Sequence, residues 1–433
     1  MRRYIKEIPF ILLLISALML RCHYLGFESR DYTDGFGQWY DYLKAHGIGA
    51  LKVTFSNYST SYLLLLYIAT LLPLAKIVSI KLIPILFDFF AAFVMYRMVK
   101  IRYSGGNKPF WAALALLWAP TVVVNGALWG QCDCIYASFA LFSLYAWSRQ
   151  RLFASFVLFG VALSFKLQAI FLLPLYLVFL ARKKVPPYYI LIPALVYVLS
   201  VLPSVVLGRT WREVAGVYLE QSRVTDQFLC MAAPNIYHWL PGHRDPLIPG
   251  IPLARKVGTV LWAMGLAVSM AWMIRRRGEL NLGNVLRYGL FFALFSPFLL
   301  PNMHERYFFL ADVLSILYAF YFPRRFFVPF MVLFASFFSY WPFLYYTIPI
   351  PMGMLSLLMG SALFVVTWDA LRDPYVGTDL GVNEGSGGEE LRCRGSQDGS
   401  PGRTLARSPK RSPRIVRKPR QVSQPRIHKR RSK

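Results

Sequence analysis

The chain has 433 residues, of which 56% are hydrophobic, 16% aromatic and only 16% charged, where a soluble domain is about a quarter charged. Apolar runs of about 20 residues, each able to cross a hydrocarbon core about 30 Å thick, recur from Pro9 to Leu371; these solid blocks exclude a soluble domain and a barrel of alternating strands, and they predict an all-α, polytopic transmembrane bundle. The net charge of +27 points to nucleic acid only until its position is read: fifteen Lys or Arg against five acids lie from Pro374 onward, and much of the rest sits in short clusters between apolar runs, as the cytoplasmic preference of basic loops produces.

Arg2, Arg3 and Lys6 precede the first run. No small-residue cleavage site follows Pro9–Leu20, only Arg21-Cys22-His23, so the sequence reads as an uncleaved span, Pro9–Leu25, rather than a signal peptide. A long segment from Gly26 to Ile77 comes next. The later basic groups are Lys100 with Arg102 and Lys108, Arg149 with Arg151, Arg182-Lys183-Lys184, Arg275-Arg276-Arg277 and Arg324-Arg325. All of them fall on the cytoplasmic side if the short apolar stretch Ser59–Leu74 is an interfacial or re-entrant helix instead of a span. The second span is then Ser79–Val99. The others are Phe110–Leu128, Asp133–Ser148, Leu152–Phe165, Leu167–Ala181, Pro187–Leu207, Pro252–Ile274, Gly283–Leu300, Arg306–Phe322, Phe326–Thr347 and Met352–Leu371, about twelve in all with both termini inside. Residues 1–373 thus form the membrane-embedded part. Residues 374–433, Gly/Ser/Pro-rich and then basic, are expected to be a disordered cytoplasmic tail drawn to anionic lipid, with no nucleic-acid partner. Cys22, Cys132, Cys134, Cys230 and Cys393 are odd in number and scattered, and Cys132-x-Cys134 lacks the spacing of a redox or zinc motif.

This topology places five polar segments on the outer face: Glu28–Asp34 leading into Phe36–His46, Gly126–Asp133, Lys166 within Ser164–Gln168, the long loop Gly208–Ile251, and Pro301–Tyr307. Carboxylates, a lysine, a histidine and an arginine gather there at one membrane level. Ionisable groups at such depth are costly and mark a candidate site. Each has a plainer role beside the functional one. Asp31 and Asp34 could be loop residues, Asp133 could cap the helix it begins, Lys166 could snorkel to the interface, and Glu305 could simply pair with Arg306. Trp39, with Tyr40 and Tyr42, has the pattern of an interfacial anchor as well as of a sugar platform. Asp88, mid-span, is expected to bond a neighbouring helix.

The set suits transfer of a sugar from a lipid phosphate to a hydroxyl. A carboxylate must take the proton of the attacking hydroxyl, and Asp31 or Asp34 can supply it. Cations must stabilise the departing phosphate, for which Lys166, His304 and Arg306 are the candidates. No metal or other cofactor is needed if side-chain cations do that work, and no zinc, Walker or nucleophile-elbow motif is present.

The residues also carry a resemblance. Ser29-Arg-Asp-Tyr with Trp39 beyond it, Asn125-Gly-Ala-Leu-Trp-Gly-Gln-Cys-Asp-Cys-Ile-Tyr136, Phe165-Lys-Leu-Gln168 and Leu300-Pro-Asn-Met-His-Glu-Arg-Tyr307 together resemble the GT-C glycosyltransferases, most of all bacterial membrane proteins related to the GPI-anchor mannosyltransferases. The resemblance implies an inverting, metal-independent hexosyltransferase, with mannose the expected sugar. Its donor would be a polyprenyl-phosphate sugar and its acceptor a glycolipid or surface glycan, at the outer face of a bacterial cytoplasmic membrane. It places the catalytic acid at Asp31, with Asp34 as the fallback, and interfacial helices in the first outer loop. Donor phosphate would fall to Lys166, His304 and Arg306, and substrate contacts to Trp39, Gln131, Asp133, Gln168, Glu305 and Tyr307. The Ser59-Thr60-Ser61 stretch, where the family has prolines, and the basic tail depart from its pattern. Rival readings are a transporter or lipid flippase, which places ionisable groups near the midplane of repeated halves, and a non-catalytic subunit that retains the fold.

Overall fold

The apolar sequence folds here as helix almost throughout, even across the internal prolines Pro84, Pro203 and Pro297, and the described residues contain no strand. The computed structural model describes residues 8–225, 228–242, 250–276 and 278–372; the expected tail, 374–433, lies outside them. In chain order the longer helices are α1 (Ile8–His23), α2 (Gly37–His46), α3 (Thr60–Thr70), α4 (Lys76–Arg102), α5 (Lys108–Leu117), α6 (Asp133–Ser148), α7 (Leu152–Phe165) and α8 (Leu173–Ala181). They continue as α9 (Leu191–Val206), α10 (Trp211–Thr225), α11 (Ile251–Arg275), α12 (Leu282–Leu299), α13 (Phe309–Tyr321), α14 (Phe327–Ser339) and α15 (Met352–Leu371).

Among the described residues, six helices are long and apolar enough to cross a membrane: α4, α9 with its leading turn, α11, α12, α14 with its flanking turns, and α15. A bent pair, α5 with Pro120–Leu128, makes a seventh if taken as one span. The pair bends by 49° where the sequence predicts one straight run, Phe110–Leu128. Proline explains the break, because Pro120 forces Ala119 into extended backbone (φ −60°, ψ 124°) and restarts the helix at its own position. The remaining expected spans are shorter pieces. α6 and α7 have 16 and 14 residues, rising about 24 and 21 Å, and Leu167–Ala181 divides into a 3-10 turn and α8. The 11 residues of α3 rise only about 16 Å, too little to cross a bilayer alone.

The segment Gly208–Ile251, read from sequence as loop, contains α10. Its start is a reciprocal cap: Thr210 N–H donates to Glu213 Oε2 at 3.0 Å, and Glu213 N–H donates back to Thr210 Oγ1 at 3.4 Å. Val214 and Val217, three apart, then bury one helical face.

Packing groups α4 with α5 and α6, α6 with α7, and α7 with α9, while α12 and α14 each pack against α15 and α13 contacts both sets. Among the described residues the interior holds a fully buried ion pair between helices, Arg21 Nε to Asp88 Oδ2 at 2.9 Å, both side chains 0% exposed. This is the helix-to-helix bond expected of Asp88. Four chain breaks converge beside these helices and carry the polar segments: the stretch after α1, the turn before α6, the end of α7 and the 3-10 turn before α13.

Candidate functional site

The stretch after α1 is tied down by one hydroxyl. Ser29 Oγ accepts the Tyr32 N–H at 3.2 Å and donates to the Trp129 carbonyl at 2.7 Å. This holds Asp31 at the head of the wide helical turn Tyr32–Phe36, facing the segment that precedes α6. There Gly130 takes φ +80°, a backbone state open to glycine at little cost. The reversal points both neighbours, Trp129 and Gln131, at the same carboxylate. Trp129 Nε1 donates to Asp31 Oδ2 at 2.9 Å, and Gln131 Nε2 donates to the same oxygen.

Arg306, from the turn Glu305–Phe308, ties these parts together. Its Nη1 donates to Gln131 Oε1 at 2.6 Å. Nη2 stands 3.9 Å from Asp31 Oδ2, Nη1 3.8 Å from Asp133 Oδ2, and Nε 3.4 Å from Glu305 Oε1. The guanidinium lies over the Trp129 ring, 5.1 Å from its centroid, a favourable placement for a cation. Glu305 is 3% exposed. Burial pushes its carboxyl up, but His304, whose Nδ1 is 3.8 Å away, and the Arg306 charge outweigh that and hold it at about 2. The acid is therefore ionised and serves Arg306 as a counter-charge.

A second layer fixes Asp133, the first residue of α6. Its Oδ1 accepts from Lys166 Nζ at 2.6 Å and its Oδ2 from Asn125 Nδ2 at 2.9 Å. Lys166 sits where α7 gives way to extended backbone (φ −152°, ψ 137°), so it reaches inward from a helix end and stays buried. Tyr58 completes the layer by donating to Gln131 Oε1 at 3.2 Å. Burial pushes the Tyr58 hydroxyl well above its usual range, so it stays a donor. Burial likewise pushes the Cys132 thiol up to about 11.

Of the residues singled out from sequence, Asp31, Gln131, Asp133, Lys166, Glu305 and Arg306 thus form one network, with His304 at its edge. Trp39 reaches it through Tyr58, the two rings 5.0 Å apart. Tyr307 and Gln168 border a neighbouring cavity of about 820 Å³. Asp34 is not brought in; it points outward, 64% exposed, paired with Arg30 at 3.1 Å. Trp129, Tyr58, Asn125 and Ser29 are parts of the network not singled out as site residues by sequence. Trp129 lies inside a segment already singled out, and its indole N–H, a donor with no acceptor role, is the signal that pairs it with a carboxylate. Comparison with protein-family models and with characterised proteins gives no match to this chain.

Chemically, the arrangement offers one carboxylate with a lopsided environment. Every hydrogen bond and ion contact of Asp31 among the described residues falls on Oδ2, and the side chain is 26% exposed. Oδ1 is left to take a proton, while the contacts on Oδ2 fix the direction in which it faces.

Proposed function

We propose that this chain is a membrane-embedded glycosyltransferase of the GT-C kind, with Asp31 as the base that activates an acceptor hydroxyl. The observation that carries the reading is the one-sided engagement of Asp31, whose Oδ2 is held by Trp129 and Gln131 while Oδ1 remains open. The proposed donor is a polyprenyl-phosphate hexose, with mannose the first sugar to try, and the acceptor is a glycolipid or surface glycan. The hydroxyl oxygen bonds to the anomeric carbon from the face opposite the phosphate, and its proton passes to Asp31 Oδ1. The bond from the anomeric carbon to the phosphate oxygen breaks, and the electron pair leaves with the lipid phosphate. Positive charge near that oxygen stabilises the transition state more than the ground state, a part suited to Arg306. The Arg306 guanidinium is shared among three carboxylates and so is preorganised.

By the placement of basic loops, the site belongs to the outer face of a cytoplasmic membrane. The test is transfer of labelled hexose from a polyprenyl-phosphate donor to a crude membrane acceptor by the wild type and by Asp31→Asn. Asn keeps an oxygen for Trp129 and Gln131 but is no base. Transfer should fall by at least about 100-fold with the melting temperature little changed. Undiminished transfer by Asp31→Asn would remove the acid from the reaction.

A further inference from the structure

The network around Asp31 is short of free positive charge. Lys166 is committed to Asp133 at 2.6 Å, and Arg306 lies within 4 Å of Asp31, Asp133 and Glu305. Three carboxylates thus face two permanent cations, and a phosphate brought here needs positive charge in addition to that of Arg306. The adjoining cavity supplies it. Its walls include Gln168 and Tyr307, the residue next to Arg306, with Phe171 and Val260 as apolar surface and Arg255 with Lys256 as its cations. Its volume of about 820 Å³ lies in the range of small-ligand sites, about 300–1,000 Å³.

Neither side chain has an ion-pair partner among the described residues. Position sets this cationic pair apart from the chain's other basic clusters. Both sit near the start of α11, at the opposite end of that helix from Arg275 and Arg276. If α11 crosses the membrane with its Arg275 end inside, the pair lies on the side where basic residues are disfavoured, so the rule that accounts for the other clusters does not account for this one. The third observation is independent of charge. Gln168 is 9% exposed, and its Oε1 is buried without a hydrogen-bond partner. A buried acceptor left unpaired costs about 1–3 kcal/mol, so a hydroxyl donor in the cavity would satisfy it. Along α11 below the cations, Val257, Val260, Leu261, Met264 and Val268 are all exposed, an apolar track at helical spacing that starts at the charged end.

We infer that Arg255 and Lys256, rather than Lys166, hold the phosphate of a phosphorylated lipid in this cavity, with its chain along α11 and the hydroxyls of its headgroup toward Gln168 and Tyr307. The inference rests on the transferase reading for the identity of that lipid as the sugar donor, but the binding site itself stands or falls separately.

The experiment uses the full chain in phosphatidylcholine nanodiscs and measures binding of radiolabelled farnesyl phosphate, with farnesol and inorganic phosphate as competitors. The wild type should bind farnesyl phosphate, and unlabelled farnesyl phosphate should displace it far better than either competitor. Arg255→Gln/Lys256→Gln should weaken binding by at least 30-fold at unchanged melting temperature, and Arg255→Ala/Lys256→Ala should do the same as a second, differently packed variant. Equal binding by both double variants overturns the inference while leaving the transferase reading intact. Inorganic phosphate competing as well as farnesyl phosphate overturns the lipid as ligand, and absence of farnesyl phosphate binding to the wild type overturns the site. Binding that depends on the pair, without hexose transfer by the wild type, keeps the site and discards the transferase.

Discussion

Replacing Lys166 by Met separates the two jobs open to this buried lysine, pairing with Asp133 and binding the proposed substrate. Its Nζ lies 2.6 Å from Asp133 Oδ1, with the side chains 8% and 1% exposed. Met preserves most of the apolar stem and removes the charge. Asp133 then keeps Asn125 Nδ2 at 2.9 Å and Arg306 Nη1 at 3.8 Å. Deleting one partner of a buried pair costs about 3–5 kcal/mol because the other charge is stranded. Arg306 already stands close enough to offset part of this, so we expect a loss of about 2–4 kcal/mol. At about 2 °C per kcal/mol for a large domain, the melting temperature falls by about 4–8 °C. The assay is thermal unfolding of the full chain in one detergent, followed by intrinsic fluorescence, for Lys166→Met, Asp133→Asn and the double variant. The double variant, with no stranded charge, should recover to within about 1 kcal/mol of the wild type. A Lys166→Met protein that melts with the wild type yet loses donor binding would refute the reasoning and return the lysine to the substrate.

Further expectations attach to single residues. Gly130→Ala meets only ordinary contact with Lys81, at 3.6 Å, but must hold φ +80°, which costs about 1–2 kcal/mol; transfer activity should fall by more than stability does, because Trp129 and Gln131 lose their common aim, and equal losses would argue against that coupling. Thiol labelling of the native protein at pH 7.5 should modify Cys22, which is exposed, and spare Cys132, Cys134 and Cys230, which are buried, with Cys132 further protected by a thiol pushed up to about 11; mass spectrometry of the labelled peptides decides. Glu305 falls from an ordinary 4.5 to about 2 on folding, so the stability it contributes is complete above about pH 4.5 and is lost as pH drops through 2, a pH-dependent part of about 3 kcal/mol. The difference in unfolding free energy between the wild type and Glu305→Gln should shrink over that window, and a constant difference would contradict the low value.

Composition made the helical, membrane-type class legible, since solid apolar blocks leave the backbone few other ways to pair. It did not make the number of crossings legible. The run Leu152–Phe165 is a helix with the bounds read from hydropathy, yet its 14 residues make it shorter than the six helices long enough to cross a membrane. Pro120 divides a run that hydropathy alone joins. The helix at Trp211 was readable in principle, from Thr210 and Glu213 at capping-box spacing, but a polar loop composition hid it. Residues of the network were visible where an ionisable group interrupted an apolar context, as at Lys166, whereas Asp31 and Arg306 stood out by the short polar motifs that hold them. Trp129 and Tyr58 did not, because an aromatic near a membrane surface has a commoner use as an anchor, and only coordinates show its polar atom turned to a partner. Asp34 shows the converse: four residues from Arg30, it had a local partner on its own helical turn and so no need of the interior.

Gly126 separates the buried Arg21–Asp88 pair from the segment that carries Trp129 and Gln131. A methyl at this position would stand 3.2 Å from Asp88 Oδ2 and 3.5 Å from Pro84 Cβ, so the bare backbone rests directly on the ion pair. The pair is thus a hard stop beneath the turn, setting its height as a shim sets the height of a lens. Any substitution that widens this seam lifts the indole and the amide together, and misaligns the carboxylate without touching it.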